Sequence, residues 1–150
     1  MNTTARAYRV AARDAVRAAE RGENVGTTAL ETAKEAWADE YSQAQMALPK
    51  GISEIASALN RALGAGYSIV KQLPRDSAAD SVYDRANAWF DGPLSDGVYL
   101  LRIALRHDLG VETQPDFEVT RVQAVRALDR ARENLEHQLG SDRQRAARSV

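Results

Sequence analysis

GISEIASALNRALGAGYSIVKQL, residues 51–73, is the stretch whose reading decides the fold. Only Glu54, Arg61 and Lys71 are charged in it, in a chain that is 27% charged. Ile52, Ile55, Leu59 and Leu63 recur at helical spacing, which predicts a helix with one face buried against its neighbours. Ala58, Ala62 and Gly66 follow one another at intervals of four on an adjoining face, where the lack of bulk lets another helix approach closely. The segment reads as the hub on which the other helices fold.

Around this hub, 150 residues set the expectation of one domain, large enough to bury a core without disulfide or metal. There is no cysteine, which excludes disulfides, thiolate metal sites and a cysteine nucleophile. Residues 1–22 lack the uninterrupted apolar core of a secretion signal, and no window approaches the roughly 18 apolar residues of a membrane span. The expected location is cytoplasmic, with no membrane partner. Abundant Ala and Arg beside little Lys suit a high-GC bacterial or phage genome. Residues 1–22, 23–116 and 117–150 carry net charges of +3, −6 and +2. If the basic ends pack on the acidic middle, the asymmetry is internal complementarity.

In chain order, residues 4–21 form a first helix stopped by Gly22, with a thin stripe of Ala5, Tyr8, Ala12, Ala15, Val16 and Ala19. Arg6, Arg9, Arg13 and Arg17 line another face, which reads as solvated, the sharper alternative being a phosphate-contacting ridge. Thr28 with Glu31 makes a capping box that opens a second helix over residues 28–48, with Trp37 and Tyr41 on its core seam and Glu31, Lys34, Glu35, Asp39 and Glu40 in solvent. Pro74 closes the hub, and Asp76 or Ser77 starts a fourth helix with Val82, Ala86 and Trp89 inside and Asp76, Asp80 and Asp84 on an exposed acidic face. The fifth helix starts at Ser95 or Asp96 and ends at Gly110. With Val98, Tyr99, Leu100, Leu101, Ile103, Ala104, Leu105 and Leu109 it is apolar nearly all round, hence central or part of a subunit contact. The sixth runs over residues 116–139, with Val122, Val125, Leu128, Leu135 and Leu139 inward and Gly140 as its stop; residues 141–150 are expected to fray or to extend the helix on a partner's surface. The result is an all-α, single-domain bundle of about six helices over residues 1–140.

Catalytic chemistry finds little footing. His107 and His137 belong to no metalloprotease-type run, and Glu133 with His137 lacks the second pair that a di-metal bundle site requires. An enzyme site around those two residues is the least favoured reading; no catalytic, cofactor or metal residue is assigned. Gly64-Ala65-Gly66 follows a helix and not a strand, so it lacks the context of a dinucleotide fingerprint. The stretch from Leu59 to Leu73 resembles the helix-turn-helix motif of bacterial and phage DNA-binding proteins: Leu59, Leu63, Ala65, Val70 and Leu73 fall at its buried positions and Gly64 at its turn glycine. Asn60 and the early Pro74 depart from the motif, and the competing reading of the same glycines is a plain helix break or kink at Gly64 to Gly66. The resemblance implies a recognition helix presenting Tyr67, Ser68, Lys71, Gln72 and Arg75 to DNA.

The expected function is that of a small non-enzymatic helical protein acting through protein–protein interaction, an accessory or regulatory factor with self-association open. The alternative is a helix-turn-helix-like DNA-binding transcriptional regulator using residues 59–75.

Overall fold

The computed structural model describes residues 1–24, 26–73 and 80–149, and among them the chain is all-α, a single domain of six helices without a strand. They are α1 (Asn2–Glu20), α2 (Thr28–Ala44), α3 (Lys50–Gln72), α4 (Asp80–Asp91), α5 (Pro93–Asp108) and α6 (Phe117–Arg148). The hub is as read. Ile52, Ile55, Leu59 and Leu63 of α3 are all buried, and α1, α4, α5 and α6 all pack against it. Each such aliphatic side chain contributes about 1.5–3 kcal/mol by leaving water, so four on one face outweigh any local propensity.

The small-residue face also does what its composition predicts. Ala58 and Ala62 are fully buried, and Gly66 is the point of closest approach to α4. A β-carbon there would stand 2.9 Å from Phe90 Cε1. On another side α6 runs parallel to α3. The side chain of Arg121 covers Gly51, Arg61 reaches Asp129 at 3.2 Å, and the Nε of Arg143 donates to Gln72 Oε1 at 3.2 Å. Besides Phe117, the buried residues of α6 are Arg121, Leu128 and Leu135, seven apart, which keeps a narrow seam turned to the hub along the helix. Arg121 is the one buried charged residue among those described. It donates to Glu54 at 2.6 Å and to Glu118 at 2.9 Å, and these carboxylates hold its guanidinium pKa above the ordinary value, Glu118 contributing most.

The basic ends do meet the acidic middle: Arg17 of α1 pairs with Asp91 and Arg121 of α6 with Glu54. Part of the arginine face of α1 is thereby turned inward. Arg9 donates from Nη1 to the Phe90 carbonyl at 2.9 Å, filling one of the acceptors left open at the end of α4. Burial lowers the pKa of Arg9, and its neighbour Arg13 adds to the effect.

Large side chains separate α2 from α3, whereas alanines let it lie close on α1. Trp37 is buried, stacks on Tyr41 with ring centroids 5.6 Å apart, and donates its indole N–H to Asn60 Oδ1 at 2.9 Å. Asn60, a departure from the helix-turn-helix pattern, is thus the polar partner of a buried tryptophan. The expected capping box is corrected: Thr27 precedes the helix without a side-chain cap, and Glu31 turns across to Tyr67.

Four helix boundaries also differ from the reading. α2 ends at Ala44, a turn early, where Ala47 and Leu48 both bond back to the Ala44 carbonyl ahead of Pro49. α5 starts at Pro93 and not at Ser95 or Asp96, because proline has no N–H to lose in a first turn. α3 passes through Gly64 and Gly66 unbroken. α6 passes through Gly140 to Arg148. A helical glycine costs only about 1 kcal/mol, and after Gly140 neither a proline nor a positive-φ turn stops the chain, while Arg85 of α4 pairs with Asp142 beyond it. The expected start of α4 at Asp76 or Ser77 lies outside the described residues, as do Asp76 itself and Ala79.

Candidate functional site

Of the residues singled out for DNA recognition, Tyr67, Ser68, Lys71 and Gln72 sit on the last two turns of α3. Because α3 is one continuous helix, the turn at Gly64 is absent, and so is a separate recognition helix; the local expectation is corrected at that point. Tyr67 donates its hydroxyl proton to Glu31 Oε1 at 2.7 Å, and the Lys71 ammonium lies 3.0 Å from the same oxygen. These bonds, Tyr67 first, hold the Glu31 carboxyl below the usual carboxylate range, and the bond to Glu31 raises Lys71. Lys34 of α2 sits over the Tyr67 ring, 4.1 Å from its centroid. Glu31 and Lys34 were read as solvated, yet both are half-buried against α3. The hydroxyl of Ser68 donates to the Gly64 carbonyl at 3.1 Å, and Gln72 accepts from Arg143. Arg75 lies outside the described residues. Apart from Ser68, whose bond stays within α3, these side chains tie α3 to α2 and α6.

A different surface stands out at the junction of α5 and α6. Five large hydrophobic residues are exposed among those described, and three fall in this connector and the turn after it: Leu109 at 76%, Val111 at 59% and Val119 at 59%, with Tyr99 of α5 at 62% and Met46 at 97%. Leu109 and Tyr99 were counted among the apolar residues that make α5 a covered helix. Leu94, Val98, Leu100, Leu101 and Ala104 are buried, so α5 is central, but its outer side and its end are not covered.

The chain reaches this surface through a glycine-terminated turn. Gly110 has φ +71°, its N–H bonds to the His107 carbonyl and that of Val111 to the Arg106 carbonyl, each at 3.0 Å. This double bond closes the end of α5. Beneath it the His107 ring stacks on Phe117, with centroids 4.4 Å apart, which fixes the start of α6 to the end of α5. Acidic residues neighbour the aliphatic group in sequence: Glu112 pairs with Arg106 at 3.2 Å and Glu118 with Arg121, while Asp108 and Asp116 have no cationic partner among the described residues. An exposed aliphatic group with acidic neighbours can dock a partner's apolar side chains and favour one with a basic margin. Sequence reading missed it because leucine and valine beside an apolar helix look like core.

Metal and histidine chemistry find no support in the geometry. Among the described residues no group of His, Cys, Asp or Glu is arranged to hold a metal ion. Glu133 lies 3.8 Å from Arg132 on exposed helix surface, and His137 offers its backbone carbonyl to Ser141. No described helix is long and apolar enough to cross a membrane. No protein-family model matches the chain, and neither a curated protein nor a solved structure does.

Proposed function

We propose that this chain is a non-enzymatic helical protein that works by docking another protein on the α5–α6 end, as an accessory or regulatory factor. The observation that supports this reading is the exposure of Leu109, Val111 and Val119 within eleven residues, on backbone held in place by a closed turn and a ring stack. Scattered single hydrophobics on a surface need no explanation, but several large ones on one rigid connector are a feature of binding faces. Asp108 and Asp116, which have no cationic partner among the described residues, favour a partner with basic residues around its apolar anchors. They count against a second copy of the chain seated face to face, which would bring these carboxylates together.

A photo-crosslinking residue in place of Val111, compared with one in place of Glu23, tests the reading in lysate of the source cells. Glu23 follows the same kind of glycine turn at the end of α1. The expected result is one discrete adduct at position 111 and none at 23. No adduct, or the same set from both positions, overturns it.

A further inference from the structure

At the other end of the bundle, α4 and the last turns of α6 both lean on α3 and leave a cleft between them of about 410 Å³. Its wall is aliphatic: Ile69, Leu73, Val82, Ala86, Leu135 and Leu139. At its rim Arg85 pairs with Asp142, bridging α4 to α6, and Arg143 lies over the α3 edge. We infer that this cleft binds a small amphipathic carboxylate of the fatty-acid type, its hydrocarbon chain against the aliphatic wall and its head on Arg143.

The volume lies within the roughly 300–1,000 Å³ of small-molecule sites. An aliphatic wall with a charged rim suits a single flexible hydrocarbon chain carrying a polar head. Water gains little there, since an apolar wall offers it few hydrogen-bond partners. Charge selects the head group. Arg85 is neutralised by Asp142, whereas Arg143 is held only by the neutral Gln72 and has no carboxylate partner among the described residues. Its planar fork matches a carboxylate in a two-bond arrangement. Two of the residues concerned, Asp142 and Arg143, are brought to the cleft by α6 continuing through its expected stop at Gly140.

Dodecanoate below its micelle-forming concentration is the probe, with dodecanol as the neutral control, each titrated into the delipidated full chain and followed by native mass spectrometry and by the methyl resonances of Val82 and Leu139. One saturable dodecanoate per chain is expected. Arg143→Gln should weaken dodecanoate at least about tenfold, the scale of a hydrogen bond to a charged group, and leave dodecanol unchanged. Val82→Phe should block both, with the thermal melt showing that the fold is kept. If that variant does not fold, the methyl shifts of the native chain decide alone. Unsaturable uptake, unmoved methyls, or equal loss of both probes in Arg143→Gln overturns the inference.

Discussion

At residues 21–23 and 109–111 the backbone makes the same turn. The residue that ends the helix has φ −79° and ψ 1° in α1, and φ −78° and ψ −1° in α5. The following glycine has φ +71° in both, and the residue after it bonds back to a carbonyl five positions earlier. The side chains differ completely. At the end of α1, Arg21 and Glu23 form an ion pair at 2.8 Å, whereas at the end of α5 the same two positions are Leu109 and Val111, both in solvent. Identical backbone geometry accepts either chemistry, so nothing in the turn demands two exposed aliphatic residues. What the first turn does with a solvated pair, the second does at the cost of wetting hydrocarbon, a choice that the proposed binding role would explain.

The sharpest way to break this comparison is to graft one turn onto the other. Leu109→Arg with Val111→Glu should leave the thermal melt within about 0.5 kcal/mol of the parent, as surface changes usually do. Capture through a crosslinker placed at Val119 should fall about a hundredfold, the loss that goes with removing central apolar anchors of an interface. Unchanged capture would mean that the aliphatic pair has no part in docking.

Next in size is the cost of the turn itself. Gly22→Ala and Gly110→Ala each place a β-carbon at positive φ, with nothing within 4 Å to clash. Each should therefore cost about 1–2 kcal/mol of stability, from backbone strain alone. Chemical denaturation that gave clearly unequal losses would show that the two turns are not mechanically equivalent, and the argument from their likeness would fail.

How much of this could be seen in the sequence depends on what each signal physically encodes. Both glycines were legible as stops because each follows an amphipathic run and begins a polar connector. Gly140 has the same surroundings and reads as a stop, and Gly64 reads as a turn glycine, yet in both places the helix continues. The hub was legible because Ile52, Ile55, Leu59 and Leu63 share one face, a pattern that holds whatever covers it. Partners contributed by distant helices were not. Asn60 has meaning only beside Trp37, Glu31 only beside Tyr67 and Lys71, and Leu109 looks like core until the turn carries it past the last packed layer.

A smaller effect is expected from the reverse graft. Arg21→Leu with Glu23→Val removes an ion pair whose side chains are both more than half exposed. Exposed pairs of this kind contribute little to stability, so the melt should barely move. A crosslinker at Asn24 should still capture nothing, since among the described residues the α1 end has no counterpart of the His107–Phe117 stack. Capture there would show that any exposed aliphatic pair recruits the partner, and that the α5–α6 end has no special role.

The smallest difference between the two turns lies in their response to acid. Arg21 holds the Glu23 carboxyl below the usual carboxylate range, chiefly through the hydrogen bond between them and then through its charge. A carboxylate depressed in the folded state adds stability at pH values above its unfolded pKa, near 4.3 for glutamate, and that contribution is lost as the pH falls through the folded value. The α1 turn should therefore loosen in acid, while the α5 turn has no ionisable group at the matching positions and should not. Following the Glu23 side-chain carboxyl resonance against pH gives its midpoint directly, and Arg21→Gln should return it towards 4.3. In the grafted chain, the new glutamate at position 111 should titrate with the same depression as Glu23, because the same backbone places an arginine two residues before it. If it titrates at the ordinary value, the turns hold their side chains differently despite their matching dihedrals, and the exposure of Leu109 and Val111 would have to be explained by that difference.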